Sequence, residues 1–241
     1  MTDPSSESRI TLEKQGHVLL IGFNRPKKMN AFDVAMLKEL SAAYETYEND
    51  PDARCAVVFA HGEHFTAGLD LANVAPMVQS GTPLYGGSAV DPWGLHGKAR
   101  TKPVVVAAKD ARFAQIEIKR GIFPFGGATF RFVQVAGWGN AMRWLLTGDE
   151  FGADEAYRIG LVQEVTARGD ERAGALAIAQ TIAAQAPLGV RATIASARKS
   201  LLEEAAARVL IPEVQALMTT ADAREGVQSF LERREAKFEG K

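Results

Sequence analysis

His64-Phe65-Thr66-Ala67-Gly68-Leu69-Asp70-Leu71 is the run on which the reading of this chain turns. It follows an apolar stretch, Ala53 to Ala60, patterned as a strand, and it leads into sequence patterned as a helix. A strand that breaks at Ala-Gly and turns into a helix leaves N–H groups of the first helical turn without backbone partners. Such groups, with the helix dipole behind them, can be aimed at a developing negative charge. Taken alone, the run is more plainly an ordinary strand-to-helix connection, with Gly68 in the turn and Asp70 near the helix start. Its neighbours decide between the two.

Upstream, Ile10–Lys14 and His17–Phe23 read as two strands joined by a turn at Gln15-Gly16. Asn24–Asn30 reads as a loop. Asp33 can cap a helix reaching about Asn49, with Met36, Leu37, Leu40, Tyr44 and Tyr47 at helical spacing. Downstream, residues 80–97 carry five Gly and two Pro and read as an irregular, mobile segment, either a lid over a site or a plain surface loop. Lys102–Ala107 reads as a further buried strand. After Gly121 the pattern is helical, with helices near 138–146, 153–159, 171–185, 188–205, 208–221 and 223–236. Ala175, Ala179, Ala183 and Ala186 form a small-residue face suited to close packing. Strands come first and helices later, which predicts an α/β fold with α+β-like order.

The 241 residues hold 28 Lys and Arg against 29 Asp and Glu, a net charge of −1. Nothing in that balance recommends nucleic acid or an anionic membrane as a partner. Cys55 is the single cysteine, so there is no disulfide framework; its place in an apolar strand suits core filling. No run is long and apolar enough to span a bilayer. Met1–Arg9 is polar and acidic and lacks the order of a signal peptide, so a cytoplasmic location and a disordered tail over 1–10 are expected. His17, His61, His64 and His96 show no i,i+4 pairing, which argues against zinc. Gly137-Trp138-Gly139 lacks a preceding strand and a third glycine, so it is not a dinucleotide loop. No nucleophile-elbow motif of the G-x-S-x-G type occurs.

Glu117 lies between Ile116 and Ile118 in a segment punctuated by Gly121 and Pro124. A carboxylate with apolar neighbours can have a raised pKa and act as general acid or base. The alternative is a surface glutamate paired with Lys119, Arg120 or Arg112, and the local sequence leaves both open.

Phe23-Asn-Arg-Pro-Lys-Lys-Met-Asn-Ala31, Phe65-Thr-Ala-Gly-Leu-Asp-Leu71 and Thr101-Lys-Pro-Val-Val-Val-Ala107 are followed by Phe113-Ala-Gln-Ile-Glu-Ile-Lys-Arg-Gly-Ile-Phe-Pro124 and Gly126-Gly127. Leu146-Thr-Gly148, Ala153-Asp-Glu-Ala156, Gly160-Leu-Val162 and Glu225-Gly-Val-Gln-Ser-Phe230 complete the series. In that order, across nearly the whole chain, they resemble the crotonase family, the enoyl-CoA hydratase/isomerase superfamily. The resemblance implies a spiral of ββα units, here residues 11–186, followed by a helical region, 187–241, that builds trimers or paired trimers. It implies an acyl-CoA thioester as substrate; coenzyme A is then part of the substrate and no separate cofactor is expected. The N–H of Leu69 falls where the family forms half of its oxyanion hole. Lys28 and Met29, with Ala67, Gly68, Asp70 and Leu71, fall where the family cradles CoA. Phe125 falls in the pocket region where isomerase and hydrolase members vary their acid/base residue, and its apolar ring offers no acid there; Phe230 and Lys237 resemble residues that reach CoA on a neighbouring subunit. Glu117 matches one of two glutamates that position water and move its proton in hydratases. The expected reaction is water addition to a 2-enoyl-CoA. Double-bond isomerisation, thioester hydrolysis and CoA binding without turnover are the alternatives on the same scaffold.

One departure is large. In the family the strand matching Pro103–Ala107 is followed by a glycine-rich turn, a buried helix and another strand, whereas here Ala107-Ala108-Lys109-Asp110 leads straight to Arg112-Phe113. The missing piece would carry the second oxyanion N–H and the other glutamate. Loss of one oxyanion donor costs on the order of 10²–10³ in rate in acyl transfer.

Overall fold

The apolar runs of the first sixty residues meet in one sheet. In the computed structural model, which describes residues 8–82, 89–95, 97–198, 211–212 and 214–237, β1 (Ile10–Gln15) pairs antiparallel with β2 (Val18–Phe23). β2 pairs parallel with β3 (Cys55–Ala60), Val18 opposite Cys55 and Phe23 opposite Ala60. β4 (Val104–Val106) adds parallel to β3, giving the order β1-β2-β3-β4. The helices are α1 (Val34–Asn49), α2 (Leu71–Gln79), α3 (Ala128–Thr147), α4 (Ala153–Arg158), α5 (Glu171–Ala183), α6 (Pro187–Arg198) and α7 (Ala221–Glu232), and residues 214–218 are also helical. No single described helix is long and apolar enough to cross a membrane. The chain forms two compact units, one drawn from the spans 1–76, 83–111 and 166–202, the other from 77–82, 112–165 and 203–241.

In the first unit all six residues of β2 are buried, as a continuous apolar run in a partly parallel sheet requires. Alternation turns Val18 and Leu20 to one face, where they join Cys55, Val57 and Phe59 against Ala175, Ala179 and Ala183 of α5. Alanines let the helix backbone sit close to the sheet. Ala186, the fourth member of the expected small-residue face, lies beyond the end of α5 and is exposed. Cys55 is fully buried and free, and burial pushes its thiol pKa up to about 11, which suits core filling. α1 starts where Asp33 Oδ1 accepts from the Met36 N–H at 2.8 Å, an N-cap. Its other end is held by Lys102, whose ammonium donates to the Tyr47 and Asp50 carbonyls at 2.7 Å each, where unpaired carbonyls favour a cation.

Three readings of this unit need correction. Ser8 to Ile10 are held in place: the Arg9 and Ile10 N–H groups donate to Glu39 Oε2, and Ile10 opens β1; residues 1–7 lie outside the described residues. In 80–97, residues 83–88 and 96 lie outside the description, but Val90 and Asp91 are fully buried. Ser41 donates to the Val90 carbonyl at 2.6 Å, and Asp91 accepts from the Trp93 and Leu95 N–H groups at 2.7 Å, so this stretch is anchored on α1. Finally, the run Lys102–Ala107 contributes only three paired residues, at the edge of the sheet as described, with Val106 57% exposed. The cause is the next stretch: Ala107–Ala111 leads to β5 (Arg112–Phe113), turning through Asp110 at φ 45°, and offers no residues for a further strand.

The second unit is built on aromatic packing. β5 pairs with β6 (Phe151–Gly152), two-residue strands that the sequence pattern does not reveal. Phe151 stacks on Phe113 at 5.5 Å and lies 4.5 Å from the Trp144 ring, with Phe132, Leu145 and Ile159 around them. α3 includes the expected 138–146 helix but begins ten residues earlier and breaks at Gly137, which sits at φ 72° and ψ 161°.

Ala179 is fully buried at the sheet–α5 contact. Ala179→Leu is therefore expected to destabilise by about 1–3 kcal/mol through overpacking. Urea unfolding followed by circular dichroism measures it.

Candidate active site

The loop at the end of β3 is tied to the loop after β2 at successive residues. Ala67 N–H donates to the Met29 carbonyl at 2.9 Å, Phe32 N–H to the Gly68 carbonyl at 2.8 Å, and Asp70 N–H to the Phe32 carbonyl at 2.9 Å. The last two make an isolated parallel bridge between Phe32 and Leu69. The Gly68 N–H is taken by Thr66 Oγ1 at 3.1 Å, and that hydroxyl donates to the Asn30 carbonyl at 2.8 Å. Leu69 is the exception: its N–H meets no acceptor among the described residues. Geometry explains why. The Gly68 carbonyl and the Leu69 N–H share one trans peptide plane and point in opposite directions. With the carbonyl aimed at Phe32, the N–H is aimed away from it. Gly68 holds φ +81°, a conformation that side-chain-bearing residues rarely adopt, so glycine is required immediately before the donor. The helix start at Leu71 follows, adding its positive end.

Behind this loop lies a polar frame. Asn30 is fully buried at φ 52°; its amide donates to the His61 and His64 carbonyls at 2.9 and 2.7 Å, and its oxygen accepts from the Arg25 N–H at 2.7 Å. Arg25 donates to the Ala31 carbonyl at 2.8 Å and to Asp70 Oδ2 at 2.9 Å, and its Nε lies 3.3 Å from Asp33. The structure thus brings Lys28, Met29, Ala67, Gly68, Leu69, Asp70 and Leu71 into one neighbourhood. Lys28, Met29, Ala67, Gly68 and Leu71 are exposed, whereas the Asp70 carboxylate is engaged by Arg25. Arg25, Asn30 and Thr66 hold this loop in place, a part that the local sequence does not show. Asn30 and its motif were visible, but partners 31 to 45 positions away were not.

In the second unit Glu117 sits in a 3-10 turn, Ile116–Arg120, closed by Gly121. The ion-paired alternative fails: Lys119 binds Asp149 at 3.1 Å, Arg112 pairs with Glu150, and the Arg120 guanidinium lies over the Phe230 ring at 4.2 Å. Glu117 has no ion pair among the described residues, and burial alone raises its pKa above the usual carboxylate range. The turn packs backbone to backbone on α7. A Cβ on Gly226 would stand 2.4 Å from the Arg120 carbonyl carbon, so glycine there is what permits the contact. Phe125 is buried. Phe230 is 55% exposed on α7, and the Lys237 N–H donates to Glu225 Oε1 at 2.8 Å, beside the Arg234 guanidinium, which holds the Glu225 pKa down to about 2.

A partly parallel sheet with a backbone donor left open in the strand-to-helix loop after β3 fits the crotonase resemblance of the sequence motifs. The comparisons agree. The sequence matches the family model for enoyl-CoA hydratase/isomerase over residues 13–93 and 99–241, and the chain belongs to that family. It is 30% identical over 257 residues to the enoyl-CoA hydratase EchA19 of Mycobacterium tuberculosis, covering 95% of this chain and 96% of that protein. A solved probable enoyl-CoA hydratase/isomerase from Mycobacterium abscessus is 48% identical with a TM-score of 0.77, covering 97% of this chain and 99% of that one. Carnitinyl-CoA hydratase from Mycobacterium avium is 28% identical with a TM-score of 0.86, covering 98% and 100%. Of the 257 aligned residues only about 229, 95% of 241, belong to this chain. Roughly 28 positions face no residue here, room for a helix of about 11–12 residues, a strand of about 5–6 and their connections.

A raised folded-state pKa on Glu117 makes its ionised form unfavourable in the fold. The folded state binds the proton more tightly than the unfolded chain, so stability falls as pH rises through the folded value. Glu117→Gln is expected to raise Tm at pH 7, with the advantage vanishing below about pH 4, under the ordinary glutamate pKa. Thermal unfolding of both proteins across that range checks the sign.

Proposed function

We propose that this protein adds water across the double bond of a 2-enoyl-CoA, with Leu69 and Glu117 in the working roles. The observation that carries the reading is the Leu69 N–H, fixed by its neighbours and left without an acceptor among the described residues. A thioester carbonyl placed on that donor gains most as charge builds on its oxygen, which favours the enolate-like transition state over the ground state. Glu117, desolvated and without an ion pair among the described residues, suits the proton transfer: in one state it takes a proton from water, in the other it returns one to carbon. An acyl-CoA substrate fits the family, and the exposed Lys28 and Met29 beside the donor loop support a place for its nucleotide end.

A second reading is favoured by the short connection Ala107–Ala111, which contains no helix start and so supplies no second donor of the Leu69 kind. On that reading the chain isomerises or hydrolyses an acyl-CoA, or binds it without turnover. We infer a homotrimer or pair of trimers as the working form, with 187–241 at the contact. The exposed Leu188 on α6 and Val227, Phe230 and Leu231 on α7 support it.

The test is crotonyl-CoA hydration by the wild type and by Glu117→Gln, followed by loss of the conjugated-thioester absorbance. Wild-type hydration with a fall of about 10²–10⁴ in kcat for the variant is expected. Equal rates remove Glu117 from the mechanism, and CoA binding without hydration by the wild type selects the second reading.

A further inference from the structure

We propose that Arg25 is a positioning residue for the Leu69 N–H; this rests on Leu69 being the donor to the thioester oxygen. The bridge that aims this donor consists of two hydrogen bonds between Phe32 and the Gly68–Asp70 stretch, flanked by the bonds of Ala67 to Met29, Thr66 to Asn30 and Val34 to Asn73. One side chain joins the residues on either side of the bridge directly. The Arg25 guanidinium grips both. On one side Nη1 donates to the carbonyl of Ala31, the residue before Phe32, and Nε faces the carboxylate of Asp33, the residue after it. On the other side Nη1 donates to Asp70 Oδ2, on the residue that follows Leu69.

Three groups, two of them charged, are therefore fixed in the plane of one rigid fork. The fork is largely removed from water, its side chain 19% exposed beside Asp33 at 8% and Asp70 at 24%, so screening is weak. Asp33 also caps α1, and its Oδ2 takes a further contact from Arg9 at 3.2 Å. The donor loop is thereby referenced to a sixteen-residue helix rather than to another loop. Arg25 itself touches no reacting atom in this scheme. It acts on the direction of an N–H through one peptide plane.

A lysine at this position keeps the charge and loses the fork, so it separates positioning from bulk electrostatics. The readout is the infrared stretch of the thioester carbonyl of bound crotonyl-CoA, which reports polarisation by the donor, together with kcat and the Kd for free coenzyme A. The wild type is expected to lower the stretch relative to the free thioester. Arg25→Lys should lose most of that lowering and about 10²-fold in kcat, as expected for a misplacement of about 1 Å, while the Kd for free coenzyme A stays within about twofold. Asp70→Asn, which keeps an acceptor oxygen but not its charge, should lose part of the lowering and supplies the same test if Arg25→Lys does not fold. A variant that keeps the wild-type stretch and kcat, even if it melts earlier, overturns the proposal and leaves the donor reading intact. A wild type that does not lower the stretch at all overturns the donor reading and this proposal with it.

Discussion

The hydrogen bond from the Phe32 N–H to the Gly68 carbonyl fixes more than the two residues it joins. Because a peptide plane is rigid, tying down the carbonyl on one side aims the Leu69 N–H on the other. A backbone donor has no side chain of its own to turn, so the peptide plane that carries it must be held from the other side. The surrounding residues follow from this need: glycine at 68 to reach φ +81°, Thr66 to absorb the one N–H that would compete, and Asn30 buried to join two loops through three hydrogen bonds. Buried polar groups of this kind are costly unless fully satisfied, and here they are satisfied by the backbone they organise.

Glu117 obeys the opposite logic. The frame behind Leu69 pairs its charges, whereas around the turn at 116–120 Lys119, Arg112 and Arg120 have other partners and the carboxylate is left desolvated. That arrangement disfavours the ionised carboxylate and would suit the proton transfer proposed for it. The backbone contact of the turn with α7, possible because residue 226 has no side chain, holds it there.

The shortened connection after β4 gives the fold its most unusual edge. A Val-Val-Val strand normally belongs in the interior of a parallel sheet, yet here Val106 is exposed, because the chain leaves the sheet within five residues. Against a relative, roughly 28 aligned positions in total face no residue of this chain, about the length of a helix, a strand and their connections.

Much of this was legible locally. β1, β2, β3, α1 and the Asp33 cap follow from periods of two and 3.6 and from one capping side chain, all within a few residues of each other. Glu117 stood out because its neighbours are isoleucines, though whether Arg112, Lys119 or Arg120 paired with it depended on Asp149, Glu150 and Phe230. The first half of α3 stayed hidden because apolar residues surround it on all sides and leave no stripe, and β5 and β6 are too short to show alternation. The Arg25–Asp70 pair spans 45 positions, a distance at which no local pattern speaks. The central claim, that the Leu69 N–H binds the thioester oxygen, is tested most directly by its own amide resonance. On adding an unreactive acyl-CoA thioester, the Leu69 proton signal should move strongly downfield, and it should not move with the matching thioether that lacks the carbonyl. A Leu69 amide that responds equally to both ligands, or to neither while coenzyme A is bound, would contradict it.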